Sequence, residues 1–155
     1  MKPPAMSEPL PTPITGSLRD GVHYYPVRVF YEDTDLTGVV YHANYLRWFE
    51  RARSDLLDVL GVDQRAAMEA GEGHYAISDL SIRYAAPARL SDAVLVETRS
   101  NRIARSFVEM NQRATRDGDL LAEMDIRVAF VSPEGRPRRQ PESWLAAFDT
   151  LSPLT

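Results

Sequence analysis

The sequence predicts an α+β fold, an antiparallel sheet curled around one long helix. Three observations carry the prediction. One strong helical segment lies in the first half of the chain, four β-rich segments follow it in succession, and the last two are joined by a tight-turn signal. Helix and strands segregated in this way argue against a parallel, alternating α/β sheet. The 155 residues suit a single domain, and a chain of about that length buries roughly 68–70% of its unfolded surface.

The elements are justified in order. Tyr24–Tyr31 (YYPVRVFY) alternates and is rich in β-formers, so it reads as a first strand with Pro26 near its start. An acidic turn, Glu32–Gly38, follows, with Gly38 supplying backbone freedom. His42–Leu60 is the helix: Tyr45, Leu46, Trp48, Phe49, Ala52, Leu56, Leu57, Val59 and Leu60 cover more than one stripe, and Gly61 is a natural stop. Much of that helix should therefore be enclosed. Asp63–Ala70 reads as a short polar helix. Tyr75–Ala86, Ala93–Arg102, Phe107–Arg116 and Leu120–Val131 are the four later strands, the last two joined through Asp117-Gly118-Asp119. In the final strand Ala122, Met124, Ile126, Val128 and Phe130 face one way and Glu123, Asp125 and Arg127 the other, so one face is buried. Ser132–Arg139 closes the sheet and Glu142–Phe148 reads as a terminal helix. Residues 22–150 form the folded domain, and residues 1–21, which hold five of the 11 prolines, a disordered leader.

Composition excludes several classes. At 44% hydrophobic, 26% charged and 9% aromatic the chain is neither wholly disordered nor collagen-like. A net charge of −4 gives no basic field to hold nucleic acid, which is not expected as a partner. All 18 basic residues but Lys2 are arginines, whose planar fork suits phosphates and carboxylates. With no cysteine, disulfides, thiolate nucleophiles and cysteine-ligated metals are absent. No apolar run approaches the roughly 18 residues of a membrane span, and the first residues lack a signal-peptide core, so a cytoplasmic protein is expected.

Chemistry concentrates in Tyr31–Glu50, YEDTDLTGVVYHANYLRWFE. G-x-S-x-G, H-E-x-x-H and P-loop motifs do not occur, and Gly71-Glu72-Gly73 alone is no dinucleotide fingerprint. Three readings of the acidic turn stand side by side. Asp33, Asp35 and Thr37 occupy the first, third and fifth positions of a calcium loop with Gly38 at the sixth, but Asn44 stands where a bidentate Glu belongs. Asp35 alternatively stabilises the helix dipole and does nothing more. In the third reading the helix-start N–H groups polarise a carbonyl while the carboxylate attacks it or activates water.

Asp33-Thr34-Asp35, then Gly38-Val39-Val40-Tyr41-His42-Ala43-Asn44-Tyr45, then Phe49-Glu50-Arg51-Ala52-Arg53, closely resembles the Tol-Pal-associated acyl-CoA thioesterases. These belong to the hot-dog-fold, 4-hydroxybenzoyl-CoA thioesterase superfamily. The likeness is near-continuous over about 25 residues and extends more weakly from Val27 to Trp144, Arg136-Pro137-Arg138-Arg139 included. It implies a hot-dog fold and hydrolysis of a short-chain or aromatic acyl-CoA to free acid and CoA, without metal or cofactor.

By the same resemblance, Asp35 is the catalytic carboxylate, acting as general base or as nucleophile. The His42 backbone N–H polarises the thioester oxygen. The His42 side chain either works beside the thioester or caps the turn. Tyr41 and Asn44 shape the turn and pocket walls, Thr37 borders the pocket, and Leu36-Thr37 replace smaller residues usual in the family. Trp48 fits core packing. Glu50 is a rival carboxylate whose expected partner is Arg53 or Arg47. His23 and His74 show no partner. For the CoA phosphates there are two arginine groups, Arg99, Arg102 and Arg105 around the start of the Ser106-Phe107 strand, and Arg136, Arg138 and Arg139. A lone hot dog leaves a sheet edge and one site wall open, so a homodimer or homotetramer is expected. The alternative to an enzyme is a non-catalytic hot-dog module that binds acyl carriers or docks onto an envelope (Tol-Pal) assembly.

Overall fold

Alternation along the strands decides which side of the sheet faces inward. In the computed structural model, which describes residues 1–2 and 8–153, the last strand β6 (Asp119–Val131) buries Ala122, Met124, Ile126, Val128 and Phe130. The other strands are β1 (Ser17–Arg19), β2 (Val22–Arg28), β3 (His74–Tyr84), β4 (Ala93–Ile103) and β5 (Phe107–Arg116). They form one antiparallel sheet in the order β1-β2-β4-β5-β6-β3. Helices α1 (Asn44–Val59), α2 (Gln64–Glu69) and α3 (Glu142–Phe148) complete the chain. This is the curved sheet and long helix of a hot-dog fold.

The α1 helix buries Tyr45, Trp48, Phe49, Ala52, Leu56 and Leu57, a face wide enough to meet the sheet along most of its length. Burying each large apolar side chain contributes about 1.5–3 kcal/mol. Trp48 is core. Gly61, at φ +76, ends the helix in a Schellman motif, with Val62 N–H donating to Leu57 O and Gly61 N–H to Asp58 O. Between β5 and β6, Asp117 and Gly118 both take positive φ, 52° and 85°, as a type I′ hairpin requires.

Several boundaries differ from the sequence reading. Ser17–Arg19 pairs with Val22–Tyr24, so the sheet begins before residue 22, inside the expected leader. Residues 3–7 of that leader lie outside the described residues. The first long strand ends at Arg28 instead of Tyr31, because Tyr31–Asp33 coils into a 3-10 turn stabilised by the Asp33 carboxylate. The long helix starts at Asn44, two residues later than expected, which leaves His42 in the approach to it. Pro26 is exposed and lies past the end of β1, where its missing N–H costs no ladder bond to that strand.

His23 is a correction. Its side chain is fully buried, and Nε2 sits 2.7 Å from the Asp55 carboxylate on α1. Asp55 also accepts from Gly16 N–H at 2.9 Å, tying the residues before β1 to the helix. Burial pushes the His23 pKa below 6.5 despite the opposing hydrogen bond and charge of Asp55.

The β3 strand closes one side of the sheet as an edge. Its 11 residues expose Ile77, Leu80 and Tyr84, and its register shifts between Ile77 and Asp79. The opposite edge, β1, has only three residues.

Candidate active site

The acidic turn separates its two central aspartates by burial. Asp33 points inward: one carboxylate oxygen accepts from Phe30 N–H and the other from the Asn44 amide, both at 2.8 Å. Its carbonyl accepts from Tyr41 N–H at 2.8 Å. Asp33 and Asn44 therefore clamp the turn onto the start of α1, with Asn44 buried and its side chain on Asp33.

Asp35 points outward. Its Oδ1 accepts from the Thr37 hydroxyl at 2.6 Å and from Thr37 N–H at 2.8 Å. Its backbone donates to Val39 O and accepts from Gly38 N–H, and Gly38 makes this turn at φ +83. Both polar groups of Thr37 thus lie on Asp35. The Thr37 hydroxyl, then Thr37 N–H, hold the Asp35 carboxyl below the usual aspartate range; Val39 and the charge of His42 add smaller effects in the same direction. Asp35 lines an open cleft of about 500 Å³ with Tyr31, Thr34, Leu36, Gly38 and Leu90. Leu36 is wholly exposed at its rim. With Asp33 held by Phe30 and Asn44, and Asp35 by Thr37, the loop does not present the spread of free oxygens that a calcium loop needs.

The approach to α1 faces the same loop. Ala43 is the N-cap, with no side-chain cap and no acid in the first turn. The N–H groups of His42 and Ala43 find no acceptor among the described residues, so the positive end of the helix is open. Tyr84, at the end of β3, donates its phenol to the His42 carbonyl at 2.8 Å. The His42 ring is exposed and lies 4.5 Å from the Tyr41 ring centroid and 6.2 Å from that of Tyr84. Tyr45, T-stacked on Tyr84 at 5.6 Å, accepts from Ala88 N–H and fixes the neighbouring β3–β4 segment. That segment bridges Val39 through Arg89, and Arg116 bonds Asp92 at 2.6 Å beneath it. Tyr84 and this segment were missed in the sequence, where a strand-end tyrosine carries no positional signal.

The arginines lie elsewhere. Tyr84 is in register with Ala122, whereas Phe107, just after Arg105, is in register with Ala129. Seven positions of β6 separate them, roughly 23 Å, so Arg102 and Arg105 sit at the far end of the sheet from Asp35 in the same protomer. The two arginine groups themselves converge, since Gln140 N–H donates to Arg105 O at 2.7 Å. Arg102 lies over the Phe107 ring at 5.3 Å. Arg138 bonds the Gly71 and Glu72 carbonyls after α2, and Arg139 pairs with Glu142, which leaves them structural tasks.

Glu50 does not pair as expected. Among the described residues it forms no ion pair with Arg53 or Arg47. Arg53 is 9% exposed and donates to Gln112 Oε1 at 2.9 Å; Gln112, fully buried, is oriented by donating to Phe49 O and Thr98 Oγ1. Arg53 is buried and committed to Gln112, whereas Glu50 is exposed. Glu50, Arg53 and Ser54 line a second cleft, about 270 Å³, against Tyr75 and Ile77 of β3.

This geometry has relatives. Residues 29–148 match the thioesterase-like superfamily. The chain is 38% identical to the acyl-CoA thioesterase YbgC of Haemophilus influenzae over 128 residues, 82% of this chain and 94% of that one. It is 37% identical to the acyl-CoA thioester hydrolase YbgC of Escherichia coli over 126 residues, 80% of this chain and 93% of the relative. Among solved structures, a probable thioesterase from Bartonella henselae superposes with a TM-score of 0.73 at 31% identity, over 77% of this chain and 99% of that one. A 1,4-dihydroxy-2-naphthoyl-CoA thioesterase from Synechocystis, at 23% identity, shares the fold with a TM-score of 0.78 over 83% of this chain and 96% of its own. The chain belongs to the thioesterase-like superfamily.

Proposed function

We propose that this chain hydrolyses the thioester of a short-chain or aromatic acyl-CoA, with Asp35 as the reacting carboxylate. That it is a thioester hydrolase rests on its superfamily and on relatives named acyl-CoA thioesterases. The observation that carries the role of Asp35 is its geometry: an exposed carboxylate with Oδ1 held by Thr37 and Oδ2 without a partner among the described residues, beside an uncapped helix start.

The thioester carbonyl oxygen accepts from the His42 N–H, which stabilises the negative charge that oxygen takes up as the carbonyl carbon becomes tetrahedral. Oδ2 of Asp35 then acts by one of two routes. As general base it removes a proton from water, and the hydroxide adds to the carbonyl carbon. As nucleophile it adds directly, giving an acyl-aspartyl anhydride that water opens. In either route the C–S bond breaks and CoA leaves as a thiolate, whose conjugate thiol has a pKa near 8–9 by analogy with cysteine, so a strong acid is not required. Tyr41 and the His42 ring border the thioester.

The active unit is a homo-oligomer. An exposed 11-residue edge invites a second copy, and a two-fold antiparallel pairing centred near Asp79 sets the Tyr84 end of one β3 beside the His74 end of the other. Arg102 and Arg105 of the second copy then approach Asp35 and meet the CoA phosphates, and its α1–β3 cleft receives the acyl end. No described helix is long and apolar enough to cross a membrane, and we assign the enzyme to the cytoplasm. Association with a Tol-Pal envelope assembly is carried by the resemblance alone and is tested by co-purification from cross-linked cells.

The experiment is thiol release from a panel of acyl-CoAs. The chain has no cysteine, so a thiol reagent reports product alone. Turnover of at least one short-chain or aromatic member is expected; none on any thioester would leave the binding-module reading.

A further inference from the structure

The turn around Asp35 contains a device that neither the superfamily nor the proposed reaction requires. Thr37 reaches back two residues and places both its hydroxyl and its N–H on the same oxygen, Oδ1, at 2.6 and 2.8 Å. Gly38 N–H on the Asp35 carbonyl and Asp35 N–H on Val39 O fix the backbone of the same residue. A carboxylate on an exposed turn would otherwise rotate freely about two torsions. Here one oxygen is held, and the other, Oδ2, has no partner among the described residues, while Asp35 itself lines the open cleft.

We infer that Thr37 is a positioning residue for Asp35: its hydroxyl fixes the carboxylate so that Oδ2 is the reacting oxygen. The inference rests on the reading of Asp35 as the reacting group. It assigns Thr37 to the carboxylate and not to the substrate, because both hydrogen-bond donors of Thr37 already have Asp35 as their acceptor. It also explains what the side chain adds at a position where smaller residues would make the same turn. The N–H is available to any residue at 37; the hydroxyl is supplied by threonine or serine only.

A charge-assisted hydrogen bond to the ionised form favours that form. Thr37 therefore keeps Asp35 ionised to lower pH, and the direction of the shift, led by the Thr37 hydroxyl, agrees with the geometry. The same bond makes Asp35 a weaker base, so what it gains for catalysis is orientation and an ionised state that persists to lower pH. Near-attack geometry is sensitive: a misplacement of about 1 Å can cost 100-fold in rate.

The test compares wild type with Thr37→Val, which keeps shape and N–H but removes the hydroxyl, and with Thr37→Ser, which restores it. The Asp35 carboxyl is titrated by carbon NMR, a readout independent of turnover. In Thr37→Val its midpoint is expected to rise toward the ordinary aspartate value, and in Thr37→Ser to stay with wild type. With a competent acyl-CoA, the acid limb of kcat/KM moves up in pH in the valine variant, and kcat on the plateau falls on the order of 10- to 100-fold with KM little changed. An unmoved Asp35 midpoint in Thr37→Val, or a serine variant that behaves like valine, overturns the inference. A shifted midpoint without any thioester turnover by wild type leaves the clamp standing and removes its catalytic purpose, a failure of the functional reading instead. A valine variant that does not fold leaves the serine variant and Thr37→Ala to decide on the same titration.

Discussion

The phenol of Tyr84 donates to the carbonyl of His42 at 2.8 Å. That single bond joins the last residue of β3, the exposed sheet edge, to the peptide that leads into α1. The His42 carbonyl belongs to the residue whose own N–H is proposed to face the thioester. Holding that oxygen fixes the Ala43 N–H directly and limits the rotation of His42 that would swing its own N–H away. The edge strand and the approach to α1 are thereby mechanically one unit.

Tyr84→Phe is expected to lower kcat by roughly tenfold with little change in KM, less than the 100- to 1,000-fold of removing an oxyanion donor itself. The tyrosine is 44% exposed, so loss of its hydroxyl should cost less than about 1.5 kcal/mol of stability. Steady-state kinetics with thermal melting separate the two effects. Unchanged kcat would mean that the N–H groups are held well enough by the helix alone.

The exposed edge gives a second prediction. Leu80→Lys places a charge in the middle of β3 and should break the proposed edge-to-edge pairing and leave a monomer, read by sedimentation velocity. Under the proposed shared site activity should vanish with it, since the second copy would supply both the arginines for the CoA phosphates and the cleft that receives the acyl end. A monomer with full activity would contradict the shared site.

Arg102→Ala with Arg105→Ala is expected to raise KM for acyl-CoA about tenfold while kcat is preserved, and the gap to wild type should shrink at high salt. A fall in kcat without a change in KM would place these arginines in folding or assembly.

Much of this was legible in the sequence, for physical reasons that differ by element. The β6 strand alternates because one face is buried, the Asp117-Gly118 turn needs positive φ, and α1 is apolar over a wide face because the sheet wraps it. Those are local rules, and they held. The end of β2 was not legible, since Val29–Tyr31 reads as strand until the Asp33 carboxylate turns inward to accept from Phe30 and Asn44 and coils Tyr31–Asp33 into a turn. The His23–Asp55 and Arg53–Gln112 contacts span 32 and 59 residues, and no local pattern announces them. For the site, the D-T-D turn stood out by resemblance, but that Asp33 is the clamp and Asp35 the free carboxylate depends on which of the two the fold buries.

His23 makes stability depend on pH. Burial lowers its pKa below the 6.5 of the unfolded chain, so in mildly acidic solution the unfolded state binds more protons than the folded one. Stability is then fully present above about pH 6.5 and is lost as pH falls below it. Melting temperature should drop on acidification from pH 7.5 to 5.5, and His23→Gln, though less stable throughout, should show a flatter profile. A rise in melting temperature over that range would mean that Asp55 outweighs burial.

Asp35→Asn is the most direct test of the central claim. The amide is nearly isosteric and still accepts from Thr37, but it can neither take a proton from water nor attack a carbonyl. Thiol release from the best acyl-CoA is expected to fall by at least about 1,000-fold in kcat/KM, with fold and oligomeric state unchanged. Turnover retained in a well-folded Asp35→Asn protein would contradict the account and move the chemistry to another carboxylate, Glu50 first.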